Sequence, residues 1–220
     1  REQYDLVGQP LAIVVAESRE QALQAAECLE VEYEEYPAVT GLLEATEPEA
    51  PLLCSDLPDN IAASETLGNQ QEVEEIFSNA HHVTRMELIN NRLVGSPLEP
   101  RGLICVIDPD DGKLILHASH QSATRLHGSL CSIFKFQPEQ LRVKVGDVGG
   151  GFGTKVAIYP EDILVVYATK KLNRPIKWTA TRTEEFQASV HGRDHMNVAE
   201  LACDPEGRIQ ALTVKTLANT

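Results

Sequence analysis

The chain has 220 residues, 42% of them hydrophobic, which is enough for one large globular domain or two smaller ones with buried cores. Its formal net charge of −14 argues against nucleic acids and anionic membranes as partners, because both bind to basic surfaces. The sequence contains no run of about 18 apolar residues, and we therefore predict no membrane span.

The N-terminal residues have the pattern of a β-α-β unit. Residues 11–16 form a short apolar run typical of a buried strand, and residues 31–34 alternate between apolar and charged side chains as a second strand does. Between them, Ser18 is a favourable N-cap for a helix that extends to about Leu29. Residues 37–71 contain four prolines and many glutamates without a clear period, which indicates a linker.

Helices and strands alternate in the rest of the chain. Residues 73–80 predict a short turn or helix, and two helices are predicted at residues 121–134 and 161–171. The predicted strands lie at residues 82–94, 101–107, 113–118, 141–148, 176–181, 195–203 and 208–217. The predicted fold class is therefore α+β, with a partial β-α-β unit followed by a mixed α/β domain.

The most informative motif is a glycine-rich loop at residues 149–155, GGGFGTK, which follows the strand predicted at residues 141–148. Glycine lacks a Cβ and tolerates positive φ, so the backbone N–H groups of such a loop can converge on a ligand. The order of residues fits neither the P-loop motif nor the dinucleotide-binding motif. The residues alone leave three interpretations: a cradle for an oxygen-rich cofactor, a sharp turn without a ligand, and a nucleotide-binding loop.

Two further motifs, together with the glycine loop, carry a resemblance to a known family. They are LEPR at residues 98–101 and SHQ at residues 119–121. With the loop they resemble the first molybdopterin-binding region in the large subunits of molybdenum hydroxylases, the xanthine dehydrogenase and aldehyde oxidase family. Residues 8–37 resemble the end of the a/b hammerhead domain of the same subunits. The branches that the chain resembles most are aldehyde oxidase and the large chain of aerobic carbon monoxide dehydrogenase.

The resemblance implies a domain organisation. Residues 1–40 are similar to the C-terminal part of the a/b hammerhead domain, residues 41–72 to a linker, and residues 73–220 to the N-terminal portion of the first molybdopterin-binding domain. Because the sequence also lacks an initiator methionine, we expect a fragment of a longer subunit that is inactive when isolated.

The resemblance also implies an oxidoreductase that hydroxylates an aldehyde, an N-heterocycle or carbon monoxide with oxygen taken from water. Its cofactor is a molybdenum-pyranopterin, in the cytosine dinucleotide form if the protein is bacterial, and electrons pass on to iron–sulfur clusters and FAD. The five cysteines here are widely spaced without a C-x-x-C pair, so partner subunits or domains must hold those clusters. Such cysteines suit the cytoplasm, and we expect a dimer of the larger assembly. A non-catalytic scaffold or assembly module remains the alternative.

Residues of the SHQ motif and the glycine loop acquire roles through the resemblance. Gln121 matches a glutamine whose side-chain amide reaches an oxygen ligand of molybdenum, an indirect contact with the metal, and an amide donor suits such an oxygen. Without the family, Gln121 is interpreted as a residue at a helix N-terminus that bonds nearby backbone. The loop residues that match the backbone lying against metal and pterin are Gly150, Gly151, Phe152 and Gly153. We expect Gly151 to need positive φ and a close approach of the cofactor.

Val156 is the candidate for the substrate pocket. Purine-oxidising members have a glutamate at this place that grips the substrate, and valine cannot form those hydrogen bonds. In the LEPR motif, Glu99 and Arg101 are interpreted either as an ion pair or as groups near the site, with Arg101 a candidate for contact with the cofactor. The general-base glutamate of the family is expected beyond Thr220, so no catalytic residue is assigned in this chain.

Overall fold

The computed structural model describes residues 7–54, 56–57 and 59–219, which divide into two units. Unit 1 contains the residues up to 33 together with residues 94–191, and unit 2 contains residues 34–93 and those from 192 onward. Both units contain helices and strands, so the predicted mixed α/β class is confirmed. Among the described residues, no helix is both long and apolar enough to cross a membrane.

The helices and strands of the described residues have the following bounds. The helices are α1 (Arg19–Glu27), α2 (Gln70–Asn79), α3 (Ala123–Phe134), α4 (Pro160–Leu172) and α5 (Arg182–Ala188). The strands are β1 (His82–Asn90), β2 (Leu93–Val94), β3 (Gly102–Ile107), β4 (Leu114–Ala118), β5 (Leu141–Lys144), β6 (Ile176–Thr179), β7 (His191–Gly192), β8 (His195–Cys203) and β9 (Ile209–Ala218).

A four-stranded sheet with the order β5-β4-β3-β6 forms the centre of unit 1 as far as the structure describes it. Strand β3 is antiparallel to β4 and β6, whereas β4 and β5 are parallel. Alternate residues of β3, Leu103 and Cys105, are buried, because successive side chains of a strand point to opposite faces. Helix α3 packs on β5 and helix α4 packs on β3 and β6, which together enclose the hydrophobic core.

Local sequence signals explain where α3 and α4 begin and which face they bury. The side chain of Ser122 caps α3 by accepting a hydrogen bond from a backbone N–H of the first turn. Leu126 and Leu130, one turn apart on α3, are fully buried in the core. Helix α4 begins at Pro160, whose fixed φ and missing N–H suit the first position of a helix.

Unit 2 contains an antiparallel three-stranded sheet of order β1-β8-β9 together with helix α2. In the described part of residues 34–69 there is one short 3₁₀ turn, Glu44–Thr46, and no strand. Asn60 organises part of this stretch, since its side-chain amide donates to the carbonyl groups of Ala45 and Pro51. The domain boundaries inferred from the sequence remain predictions.

The structure differs from the predicted β-α-β unit in its two strands. Helix α1 is confirmed, and it begins after Ser18, which forms a capping box with Gln21. Residues 11–16 and 31–34, however, pair with no strand among the described residues. An apolar or alternating pattern indicates which side chains suit burial, but a strand forms only where a neighbour supplies its hydrogen bonds. Here Val15 is 42% exposed and Tyr33 is 70% exposed.

Candidate cofactor site

The glycine loop turns sharply because three of its residues have positive φ. Gly150, Phe152 and Gly153 have φ values of 95°, 51° and 89°. Phe152 is therefore a bulky residue in the left-handed region, which is uncommon, and its side chain is 76% exposed. Gly151 does not have positive φ, contrary to our expectation. Glycine is needed there because an added Cβ would lie 2.4 Å from Cδ of Gln121.

The side chain of Gln121 is held by the glycine loop. Its Oε1 accepts hydrogen bonds from the backbone N–H groups of Gly153 and Lys155, each at 3.1 Å. Its own backbone N–H donates to the Lys155 carbonyl at 2.9 Å. Because both side-chain partners are donors, the accepting atom must be the amide oxygen. The amide Nε2 is then a donor that bonds none of the residues described here.

Most backbone N–H groups of the loop are already used. Of the eight at residues 149–156, six donate within unit 1, namely those of Gly149, Gly150, Gly153, Thr154, Lys155 and Val156. The N–H groups of Gly151 and Phe152 donate to no residue in the described part of the chain. The N–H of Gly153, which we expected to face a cofactor, is committed to Gln121 instead. Two consecutive N–H groups of the loop are therefore open to a ligand.

The carboxylate of Glu99 lies at the base of the loop. Its Oε2 accepts from the N–H of Gly149 at 2.7 Å, from Ser119 Oγ at 2.8 Å and from Lys155 Nζ at 2.9 Å. The hydrogen bond from Lys155 is the main reason why the pKa of Glu99 is lowered, and it outweighs the opposing effect of burial, with Ser119 and Gly149 adding to it. Glu99 is therefore a carboxylate at neutral pH.

Lys155 belongs to the interior of unit 1 rather than to a ligand surface. Its side chain is 0% exposed, and Nζ donates to Glu99 and to Ser119 Oγ, the latter at 2.8 Å. A nucleotide-binding loop uses its lysine to contact phosphate groups. The geometry of Lys155 therefore argues against the nucleotide-binding interpretation of this loop.

Arg101 is also part of the interior. Its Nε and its backbone N–H both donate to Glu185 Oε1 at 2.9 Å, and Nη1 lies 3.3 Å from Glu161 Oε2. The guanidinium group stacks over the ring of Tyr159 at 3.7 Å from its centroid. The structure thus pairs Arg101 with Glu185 and Glu161 rather than with Glu99. Its buried Nη2 has no hydrogen-bond partner among the described residues.

Residues around Gln121 are fixed by buried hydrogen bonds. His120 Nδ1 accepts from the N–H of Ser122 at 2.9 Å and its Nε2 faces the Ala157 carbonyl at 3.3 Å, so Nε2 carries the proton. Burial lowers the pKa of His120, which keeps the ring neutral. The hydroxyl of Tyr159 donates to the carbonyl of Thr154 in the loop. Val156, the predicted pocket residue, is half-buried at the end of the 3₁₀ turn Thr154–Val156.

Sequence reasoning missed helix α5, which supplies Glu185. The signal was present, because Thr181 and Glu184 have the spacing of a capping box and form one in the structure. It also missed the role of Glu99 as the acceptor for three donors. No local signal marks that role, since Gly149 and Lys155 lie 50 and 56 residues away in sequence.

Residues 54–220 match the family model of the molybdopterin cofactor-binding domain. The chain belongs to this family. The match includes the SHQ motif, the glycine loop and the residues that hold them, which are the parts of the sequence on which the resemblance was based.

Similarity to individual members extends over nearly the whole chain. The carbon monoxide dehydrogenase large chain of Hydrogenophaga pseudoflava is 32% identical over 96% of this chain and 28% of that protein. The crystal structure of quinoline 2-oxidoreductase from Pseudomonas putida 86 has a TM-score of 0.79 and 33% identity, covering 91% of this chain and 25% of that one. Reconstituted CO dehydrogenase from Oligotropha carboxidovorans has a TM-score of 0.84 and 29% identity, with 91% and 26% covered. The chain thus spans about a quarter of the length of these relatives.

Proposed function

We propose that the chain forms part of the molybdenum-cofactor site of a molybdenum-dependent hydroxylase or dehydrogenase. The observation that carries the proposal is a set of three unused donors on one loop assembly: the N–H groups of Gly151 and Phe152, and Nε2 of Gln121. The donor chemistry fits the group, because the cofactor of this family presents oxygen and ring heteroatoms that accept hydrogen bonds.

The residues of this chain would bind and orient the cofactor rather than ligate the metal. Gln121 would contact molybdenum indirectly, by donating a hydrogen bond to an oxygen ligand of the metal. Its own oxygen is held by the loop, and its amide nitrogen can only donate. Gly150, Gly151, Phe152 and Gly153 would present backbone, and two of their N–H groups are available. When bound, the cofactor supplies two-electron oxidation of the substrate and activation of the oxygen that comes from water. Donors fixed before binding cost no reorganisation when charge develops on an oxygen.

The proposed substrates are aldehydes, N-heterocycles and carbon monoxide. The relatives named above are a carbon monoxide dehydrogenase and a quinoline 2-oxidoreductase, which supports the second and third of these classes. Val156 is apolar, so the side chain at this position would contact a substrate without accepting or donating a hydrogen bond. We propose that the general-base glutamate lies in another part of the enzyme.

The proposal also includes the partners and the setting of the enzyme. Its relatives include proteins named as large chains, which supports an assembly of several subunits. We propose that partner subunits or domains hold iron–sulfur clusters and FAD. The pterin is the cytosine dinucleotide form if the source is bacterial. The complex of these subunits lies in the cytoplasm and forms a dimer.

The test uses the complete protein with its partner subunits, purified and analysed for molybdenum and pterin. It is then assayed with an aldehyde, quinoline and carbon monoxide in isotopically labelled water. We expect about one molybdenum per large subunit and the label in the oxidised product of at least one substrate. A protein free of both molybdenum and pterin would support the scaffold alternative and overturn the proposal.

Gln121→Glu is the informative variant in that assay. A glutamate keeps the oxygen that accepts from Gly153 and Lys155 but replaces the amide donor with an acceptor. We expect turnover to fall by about 100-fold, the usual effect of removing one donor to a developing oxyanion, while the loop stays in place. Unchanged turnover would remove Gln121 from the site.

A further inference from the structure

One carboxylate oxygen joins both ends of the glycine loop. Glu99 Oε2 accepts from the backbone N–H of Gly149, the first residue of the loop, and from Nζ of Lys155, the last. Ser119 supplies a third donor, and Lys155 also donates to Ser119 Oγ, so the four groups form a closed network. Glu99 lies in the LEPR motif and Ser119 in the SHQ motif, so all three sequence motifs meet here.

The packing at this point leaves little freedom. An added Cβ on Gly149 would lie 2.6 Å from Cβ of Glu99, so the loop approaches as closely as it does because residue 149 is glycine. Lys155 is fully buried, and a buried ammonium group is costly unless an anion is paired with it. In the described residues, Glu99 is the carboxylate within ion-pair distance of that ammonium group.

We infer that Glu99 is a positioning residue that closes the glycine loop, so that the N–H groups of Gly151 and Phe152 are held ready for the cofactor. The inference deepens the proposed function and rests on it for the identity of the ligand. Glu99 acts through the loop, because its Oε2 is used by three donors from the protein itself. Its Oε2 is therefore committed to the protein itself.

The charge of Lys155 allows the role of Glu99 to be tested with single and double variants. Glu99→Gln keeps an oxygen that can accept from Gly149 but leaves the buried ammonium group without an anion. Lys155→Met removes that ammonium group, while Glu99, whose side chain is 41% exposed, keeps water and two protein donors. In the double variant no buried charge is unpaired. We therefore expect Glu99→Gln to open the loop most and the double variant to recover much of the closure.

The experiment measures amide hydrogen exchange of peptides covering residues 145–156 in the complete protein, prepared both without cofactor and with it, and molybdenum content in the second preparation. Glu99→Gln should exchange about tenfold faster in this segment than the unmodified protein, as expected on loss of a charge-assisted hydrogen bond. Exchange should be slower again in the double variant, and molybdenum content should follow the same order. Ser119→Ala removes one donor to Glu99 and one acceptor for Lys155 but leaves the ion pair in place, so it should act in the same direction more weakly.

Controls separate loop opening from loss of the fold. Glu139→Gln changes an exposed carboxylate of unit 1 and should leave loop exchange unaltered, while protection of β4 reports an intact sheet in every variant. Unchanged loop exchange in Glu99→Gln, or a double variant more open than the single one, overturns the inference. If the unmodified protein holds no molybdenum yet loop exchange follows the expected order, the positioning role stands and the proposed function fails. If molybdenum is present but loop exchange is the same in all variants, the proposed function stands and the positioning role of Glu99 fails.

Discussion

Gly151 faces the side chain of Gln121, and an added Cβ would lie 2.4–2.6 Å from three of its atoms. In Gly151→Ala the Gln121 side chain must therefore move, which breaks its hydrogen bonds to Gly153 and Lys155. Once the amide oxygen of Gln121 is no longer held by the loop, the amide nitrogen no longer points in a fixed direction. We predict that turnover of the complete enzyme falls by about 100-fold, comparable to removal of an oxyanion donor.

Steady-state kinetics and molybdenum analysis of Gly151→Ala check this prediction. Gly146→Ala is the matched control, because a Cβ at residue 146 meets no atom within 4 Å and Gly146 does not have positive φ. Normal activity in Gly151→Ala, at the level of the control, would show that Gln121 has another productive position and would contradict the arrangement described here.

The buried carboxyl group of Asp162 makes the free energy of unfolding depend on pH. Burial is the main reason why its pKa is raised from 3.8 to about 6, although the N–H of Tyr159 and the charge of Arg101 oppose the rise. The folded state therefore binds a proton more readily than the unfolded chain, so stability is gained as the pH falls from about 6 toward 3.8. Above pH 6 the buried charge destabilises the fold by a constant amount.

Asp162→Asn should remove the loss of stability that the buried charge causes. Asparagine keeps an oxygen for the N–H of Tyr159, which lies 2.8 Å from Asp162 Oδ2, but bears no charge. At pH 8 we predict a variant more stable by up to about 3 kcal/mol, the equivalent of about two pKa units. The gap should close between about pH 6 and pH 4. Thermal unfolding followed across this pH range checks it, and a gap that does not depend on pH would contradict the assigned cause.

Residues within one motif were predictable from the sequence, and their partners across the fold were not. The glycine loop was identified because several glycines in one short segment imply backbone that approaches a ligand, whereas Gln121 acquired its role through the resemblance to the family. That Gln121 Oε1 takes the N–H of Gly153, and that Gly151 is needed for packing rather than for φ, depends on residues 30 or more apart. A single sequence contains no signal for such contacts.

At the scale of elements, the short helix α5 contributes to the stability of unit 1 through one buried side chain, that of Glu185. Glu185 is 2% exposed, and its Oε1 accepts from both Nε and the backbone N–H of Arg101. Glu185→Ala would leave the buried guanidinium group with its longer contact to Glu161 as the remaining carboxylate contact among the described residues, beside its stacking on Tyr159. We predict a loss of about 3–5 kcal/mol in the free energy of unfolding, as expected when one partner of a buried ion pair is removed.

Urea denaturation of Glu185→Ala measures this loss, and the double variant Arg101→Met/Glu185→Leu tests its cause. Because no unpaired charge remains in the double variant, its stability should exceed that of Glu185→Ala. A double variant that is less stable than the single one would mean that Arg101 acts mainly through its stacking on Tyr159, 3.7 Å away.

Most predicted strands are present in the structure as β1, β3, β4, β6, β8 and β9, although strands depend on their neighbours. The exceptions are of two kinds: α5, a helix missed despite its local capping signal, and predicted strands that have no paired neighbour. Helix α1 agrees with the prediction because its Ser18 cap and its apolar stripe are encoded locally, and α4 agrees because the acids of its first turn and the lysines of its last turn suit the helix dipole. Residues 11–16 have the composition of a strand but no paired neighbour in the described residues, and composition cannot supply that neighbour. The same limit explains why the order β5-β4-β3-β6 was not predicted.

For the molecule as a whole, the donors found here are too few to enclose a cofactor. The loop offers two N–H groups and Gln121 one amide, while Phe152 is 76% exposed beside them. A tightly bound organic ligand normally has about 70–90% of its surface buried, which demands contacts on several sides. We therefore predict that the 220-residue chain, produced alone, retains far less molybdenum than the complete large subunit with its partners.

Metal analysis and pterin fluorescence of the two proteins, produced in the same host, measure that difference. Circular dichroism of the isolated chain provides the control that its helices and strands have formed. Stoichiometric molybdenum in the folded, isolated chain would contradict the prediction, because it would mean that the donors of one loop and one glutamine hold the cofactor unaided. A folded chain with little metal, beside a loaded complete subunit, would indicate that the loop fixes the position of the cofactor while the rest of the enzyme encloses it.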